Sequence, residues 1–265
     1  MKERAALWNQ RVSKASPTHT LTELYRGDHW TQARRLREAA AKAGFKADLW
    51  VASAGLGLQP VSASAPSYAA TFTTRHADSV ATTAEGSAQW WGHIQEGTGR
   101  ATLQELGKGS PVLMALSEVY AKAVEKELLA LAEVGNEVLL FGGVEEIAGI
   151  QRVPADAGLR RTLGGTLTSL NVRMAASWLQ HCENSQLTSS ATSDSWKTWA
   201  AGESRPEQHN RQPMTDVEVV AFIRQQAASQ PGISRTRLLR LLRDGGQACE
   251  QSRFANLYIK TMGEL

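Results

Sequence analysis

Three short, unbroken apolar runs constrain this chain more than any other feature: DLWVAS (48–53), PVLMALS (111–117) and EVLLFGG (137–143). A strand with one face in water alternates apolar and polar residues, whereas a strand covered on both faces is apolar throughout. Helical patterns separate the runs. Residues 31–42 set Ala33, Leu36, Ala39 and Ala40 along one side and stop at Gly44. Residues 120–134 set Tyr120, Val124, Leu128 and Leu131 on one face and stop at Gly135-Asn136. This alternation predicts an α/β domain with a parallel sheet and right-handed crossovers. A helix through LTSLNVRMAASWLQH, with Leu170, Met174 and Trp178 at helical spacing, completes a first domain over residues 1–180.

Composition then changes. Residues 181–212 are rich in Ser, Thr, Gln and Asn and poor in aliphatics, which predicts a polar linker. Trp196 and Trp199 inside it are expected to pin it back onto the domain, because large aromatics are costly to leave in water. From 213 to 265 the pattern is locally well specified. Thr215 and Glu218 form a capping box, Ser234 is placed to cap a second helix carrying Leu238, Leu239, Leu241 and Leu242, and a third helix is expected over 248–260. Three short helices with tight glycine turns predict a small all-helical, helix-turn-helix-like module.

Charge sharpens that reading. The net charge of +3 is small, but Arg235, Arg237, Arg240 and Arg243 all precede the first acid of their segment, Asp244. A local basic stripe is the footprint of a phosphate-binding surface. The following helix adds Gln251, Arg253 and Asn256, whose side chains can reach base edges or phosphates. These seven residues are the candidate DNA contacts, and DNA is the expected partner. A three-helix protein-interaction module is the alternative, with further protein partners.

Other classes are weakly represented. No apolar run approaches the roughly 18 residues of a membrane span, and the charged start MKERAALWNQRVSKAS lacks a signal-peptide core. The two cysteines, Cys182 and Cys249, and the six histidines form no metal spacing, so no metal or cofactor is expected. A reducing, cytoplasmic setting follows as the expectation. Adjacent Trp90-Trp91 suggests that one of them is an exposed anchor for a larger complex, since neighbours in a strand face opposite ways, unless a helix or loop buries both.

In a parallel sheet, ligands bind beyond the carboxyl ends of the strands. Ser53-Ala54-Gly55-Leu56-Gly57, Ser117 and Gly142-Gly143 occupy that place for the three runs. Glycine admits close backbone approach, and the serines can donate or accept hydrogen bonds. The stretch lacks a full dinucleotide fingerprint, and no P-loop is present.

Leu24-Tyr25-x-Gly27-x-x-Trp30, then Leu49-Trp50-Val51-Ala52-Ser53-Ala54-Gly55-x-Gly57-Leu58, then Pro66-Ser67-Tyr68 resembles the YaaA-like domains of bacterial peroxide-stress proteins. Val112-Leu113-Met114-Ala115-Leu116-Ser117-x-x-Tyr120 is similar to a second run of that group, so the resemblance covers residues 20–143. Many such domains begin with a strand bearing a Cys-Ser-x-x-Lys-like turn, where this chain reads Arg11-Val12-Ser13-Lys14-Ala15-Ser16 without cysteine. The DpdC-like relatives of 7-deazaguanine DNA modification systems give the resemblance its functional content. It implies an enzyme that hydrates the nitrile of a 7-deazaguanine base in DNA, in a modification or defence system. On that reading a flipped base would be held by stacking and edge hydrogen bonds. Tyr25, Trp30 and Tyr68 are the stacking candidates, and Gly55, Gly57, Ser117 and Arg75 the other binding candidates. Ser53 would polarise the nitrile, and Asp28 or His29 would activate water. Cys182 lacks a neighbouring base in the sequence and is not expected to be a nucleophile. The competing reading is a DNA-binding protein without catalysis, in which Ser53 and Tyr68 are packed shut.

Overall fold

A computed structural model describes residues 1–96, 101–183, 185–205 and 211–263. The chain divides into two compact units, Met1–Pro206 and Glu207–Leu265.

The first unit is mixed α/β. Its centre is a parallel three-stranded sheet of β3 (Val112–Leu116), β4 (Val138–Gly142) and β5 (Gln151–Val153), with β4 in the middle. The two apolar runs in this sheet have the expected cause. Val138 and Leu140 of β4 face one core cluster while Leu139 and Phe141 face another, so β4 is buried on both sides. Met114, with Val112 and Leu116, likewise faces the first cluster, and Leu113 and Ala115 face the second. Before the sheet come α1 (Lys2–Lys14), α2 (Asp28–Lys42), the strands β1 (Trp50–Ser53) and β2 (Gly57–Pro60), and α3 (Ala84–Glu96). The crossover from β3 to β4 is helical, as expected, but bends at the buried Val124 into α4 (Glu118–Ala123) and α5 (Glu125–Val134). Helix α6 (Leu170–Leu179) buries Leu170, Met174 and Trp178.

Three expectations are corrected. The run 48–53 does not join the parallel sheet. Its strand β1 pairs antiparallel with β2, Ser53 opposite Gly57, as a separate hairpin. An apolar run reports burial, not the partner across the ladder, and here the partner lies only three residues away. Trp90 and Trp91 are 2% and 3% exposed and lie on a helix, where one donates its indole N–H to Ala54 O and the other to Glu127. They are core residues, not exposed anchors. Third, residues 181–212 are not simply a linker, because they contain α7 (Ser190–Glu203). Ser189 caps it, and Trp196 packs on Trp178 (5.4 Å between centroids) and Phe141 (5.9 Å) while donating to Ser177 Oγ at 2.9 Å. The unit boundary therefore falls after Pro206 rather than at 180.

The region matched to the strand-and-turn start of the YaaA-like pattern is instead the end of α1.

The second unit packs α8 (Asp216–Ser229), α9 (Arg235–Asp244) and α10 (Gln251–Gly263) around Val219, Ile223, Leu238, Leu242 and Phe254. The Thr215–Glu218 capping box forms as expected. The module is not purely helical. Gln212–Pro213 pairs in parallel with Gln247–Ala248, which starts the third helix three residues later than its sequence pattern suggests.

Candidate functional site

The hairpin turn at Ser53 is built around a serine and an aromatic ring. A three-residue connection ends at Gly57, whose φ of 73° is the left-handed position such loops place at a bulge. Ser53 Oγ accepts the N–H groups of Gly55 (3.1 Å) and Leu56 (3.0 Å). The indoles of Trp8 and Trp90 donate to Gly55 O and Ala54 O, both at 2.7 Å. A Cβ on Gly55 would stand 2.5 Å from the Tyr68 ring, so Gly55 is required by that packing.

Tyr68 Oη lies 2.5 Å from both Ser53 Oγ and Tyr25 Oη. Counting protons fixes the direction of this chain. A serine hydroxyl has two acceptor lone pairs and one donor. Both lone pairs of Ser53 are taken by backbone N–H groups, so Ser53 donates to Tyr68, Tyr68 donates to Tyr25, and Tyr25 O–H, at the far end, has no acceptor among the described residues. Tyr68 is raised well above the usual tyrosine range, first by burial and then by the neighbouring Tyr25; burial also raises Tyr120. Tyr68 thus stays protonated and neutral. Ser53 is 4% exposed and Trp30 7%, with the indole of Trp30 donating to Thr22 O. Neither offers a free surface. Ser53 is a turn anchor whose hydroxyl is fully used, and Trp30 packs edge-on against Tyr25 at 5.1 Å.

Asp28 and His29 open α2 and belong to a different cluster. Asp28 accepts from Ser169 Oγ (2.6 Å) and Arg173 (2.8 Å), with Gln32 further off. The Ser169 hydroxyl above all, then Gln32 and Arg173, holds its carboxyl below the usual range. Such a carboxylate is a poor base; it ties α2 to α6. His29 Nδ1 sits 2.9 Å from Thr168 O, and a carbonyl only accepts, so Nδ1 carries the proton and leaves Nε2 exposed.

The strand ends of the parallel sheet bring Ser117 and Gly142-Gly143 together, without Ser53. Asn171 Nδ2 donates to Leu116 O at 2.9 Å and would clash with a Cβ on Gly142. Arg152 donates to Gly142 O and Gly143 O and pairs with Glu146. Both side chains thus bond to backbone carbonyls at the strand ends, where a ligand was expected. Arg75 stands exposed on a tight turn with φ 63°. Cys182 is pushed up to about 11, mainly by burial, so at neutral pH it is a thiol and not a nucleophile.

In the second unit, Arg235, Arg237 and Arg240 are exposed on α9 with no ion pair among the described residues. Gln251 and Asn256 are exposed on α10, together with Lys260, which sequence reasoning passed over because it stands alone in its segment. Two candidates are reassigned. Arg243 donates to Cys249 O at 3.2 Å, and Arg253 is held by Asp216 (2.7 Å) and Met214 O (2.9 Å). Both brace the module internally.

Among the described residues no group of three or more His, Cys, Asp or Glu is placed to hold a metal, and no helix is long and apolar enough to cross a membrane. No family model, curated protein or solved structure matches the chain.

Proposed function

We propose that the chain is a nucleic-acid-binding protein whose second unit is a helix-turn-helix-like module docking on duplex DNA. One observation carries this reading: Arg235, Arg237 and Arg240 are exposed on α9 and make no ion pair among the described residues. Arg235 and Arg237 lie in the first turn, which contains no acid. Cations there oppose the helix dipole by roughly 0.3–1 kcal/mol each, so the arrangement works against the free helix. Phosphates are the counterions that relieve it. Gln251 and Asn256 supply base-edge donors and acceptors on α10. The test is fluorescence anisotropy with labelled duplex DNA and the triple Arg235→Ala, Arg237→Ala, Arg240→Ala variant. The variant should bind far more weakly than wild type; unchanged binding refutes the reading.

A second reading is favoured by one specific feature, the Tyr25 O–H at the end of the Ser53–Tyr68–Tyr25 chain, which has no acceptor among the described residues. A hydrogen-bonded chain strengthens its terminal donor, and such a donor suits the nitrile nitrogen of a 7-deazaguanine base. Adding water to that nitrile gives the amide, so DNA carrying 7-cyano-7-deazaguanine would gain one water mass per converted base. Mass spectrometry of the digested DNA tests it, and an unchanged mass removes it.

A further inference from the structure

Helix α2 carries a second cationic face that neither reading above uses. It buries Trp30, Ala33 and Ala40 and leaves Arg34, Arg35, Arg37 and Lys42 exposed. Its end explains how the face becomes concave. Gly44 adopts φ 87°, and Phe45 N–H reaches back to Ala40 O at 2.9 Å, the reversal that commonly closes a helix. The chain therefore returns beside the last turns of α2. Arg34, Arg37 and Glu38 from the helix and Phe45 and Lys46 from the returning segment line one depression. Arg34, Arg37 and Lys46 make no ion pair among the described residues. Residues 34–48 hold five bases and two acids, a net +3 equal to that of the whole chain.

We infer that this depression binds single-stranded nucleic acid, with phosphates on Arg34, Arg37 and Lys46 and one base against Phe45. An aromatic surface among cations is how single strands are held: the backbone follows the charge and a base stacks on the ring. A duplex keeps its bases stacked inside and gains nothing from Phe45. The inference goes beyond the duplex-docking role proposed for the second unit and stands on different residues.

The experiment titrates the full chain into a labelled oligothymidylate and, separately, a labelled duplex, across a range of salt. Arg34→Ala with Arg37→Ala and Lys46→Ala should lower single-strand affinity about tenfold or more. It should also flatten the salt slope by about 2, at ~0.7 for each phosphate that no longer meets a cation. Duplex affinity should hold. Phe45→Leu, which keeps an apolar side chain, should weaken single-strand binding without changing the slope. Glu38→Gln should tighten it. Arg237→Ala with Arg240→Ala should leave single-strand binding intact, so a failure of the duplex reading is seen separately. Wild-type single-strand affinity in the triple variant overturns the inference. So does an equal weakening for duplex and single strand, or displacement of the strand by polyglutamate as readily as by unlabelled oligonucleotide.

Discussion

The serine at residue 53 shows how far residue type alone leads. A serine and glycines after an apolar run identify a place where the backbone turns sharply and small side chains are needed. They do not say what is approached. The answer here is the Tyr68 ring on Gly55 and two backbone N–H groups on Ser53 Oγ. The grouping of Ser53, Tyr25 and Tyr68 was legible from the sequence, but the hydroxyl order that uses up Ser53 was not, because it depends on atoms brought together across 43 residues. Position in that chain sets the cost of breaking it. Tyr68→Phe removes both the acceptor of the buried Ser53 hydroxyl and the donor to Tyr25, and should destabilise by about 1–3 kcal/mol, whereas Tyr25→Phe removes only the acceptor of Tyr68 and should cost less. Urea denaturation of the two variants measures both; equal midpoints would contradict the two-bond role of Tyr68.

At the scale of elements, helix α7 is the instructive failure of composition. SATSDSWKTWAAGE reads as polar, yet Thr192, Trp196 and Ala200 recur every four residues and are all buried. That stripe and the Ser189 cap were available in the sequence; the serine-rich background hid them. Trp196→Ala should cost about 3–5 kcal/mol, as removal of a large core aromatic does, measured as the shift in unfolding midpoint. A shift near zero would return residues 190–203 to linker status. The strand β4 was legible because burial on both faces leaves an unmistakable run, whereas β2 was not, since Gly57-Leu58-Gln59-Pro60 has neither length nor alternation. The start of α10 adds a pH prediction. Glu250 accepts the N–H groups of Ser252 and Arg253, and the Ser252 hydroxyl first of all pulls its carboxyl down to about 2 from the usual 4.5. A depressed carboxyl stabilises fully above its unfolded value and loses that contribution as pH falls through its folded one. The second unit should therefore lose this contribution between about 4.5 and about 2, and Glu250→Gln should melt lower at neutral pH yet meet wild type near the acid end. Parallel melting curves across that window would contradict the cap.

In the whole molecule, two compact units differ in architecture. The first is an α/β body in which Asn171 and Arg152 bond to the backbone at the strand ends. The second is a small module with arginines on an exposed helix face that make no ion pair among the described residues. The capped helices of the second unit were readable in the sequence from their capping signals and hydrophobic period, but the end of the first unit was not, because the serine-rich background hid α7. Whether a crevice is open was not readable, because it is decided by long side chains arriving from α6 and β5. The decisive titration is duplex DNA affinity against salt for wild type and for Arg237→Ala with Arg240→Ala. If α9 grips the phosphates, the variant binds more weakly and its slope is shallower by about 2, at ~0.9 for each phosphate no longer neutralised. Identical affinity and slope in the two proteins would contradict a DNA-docking role for α9.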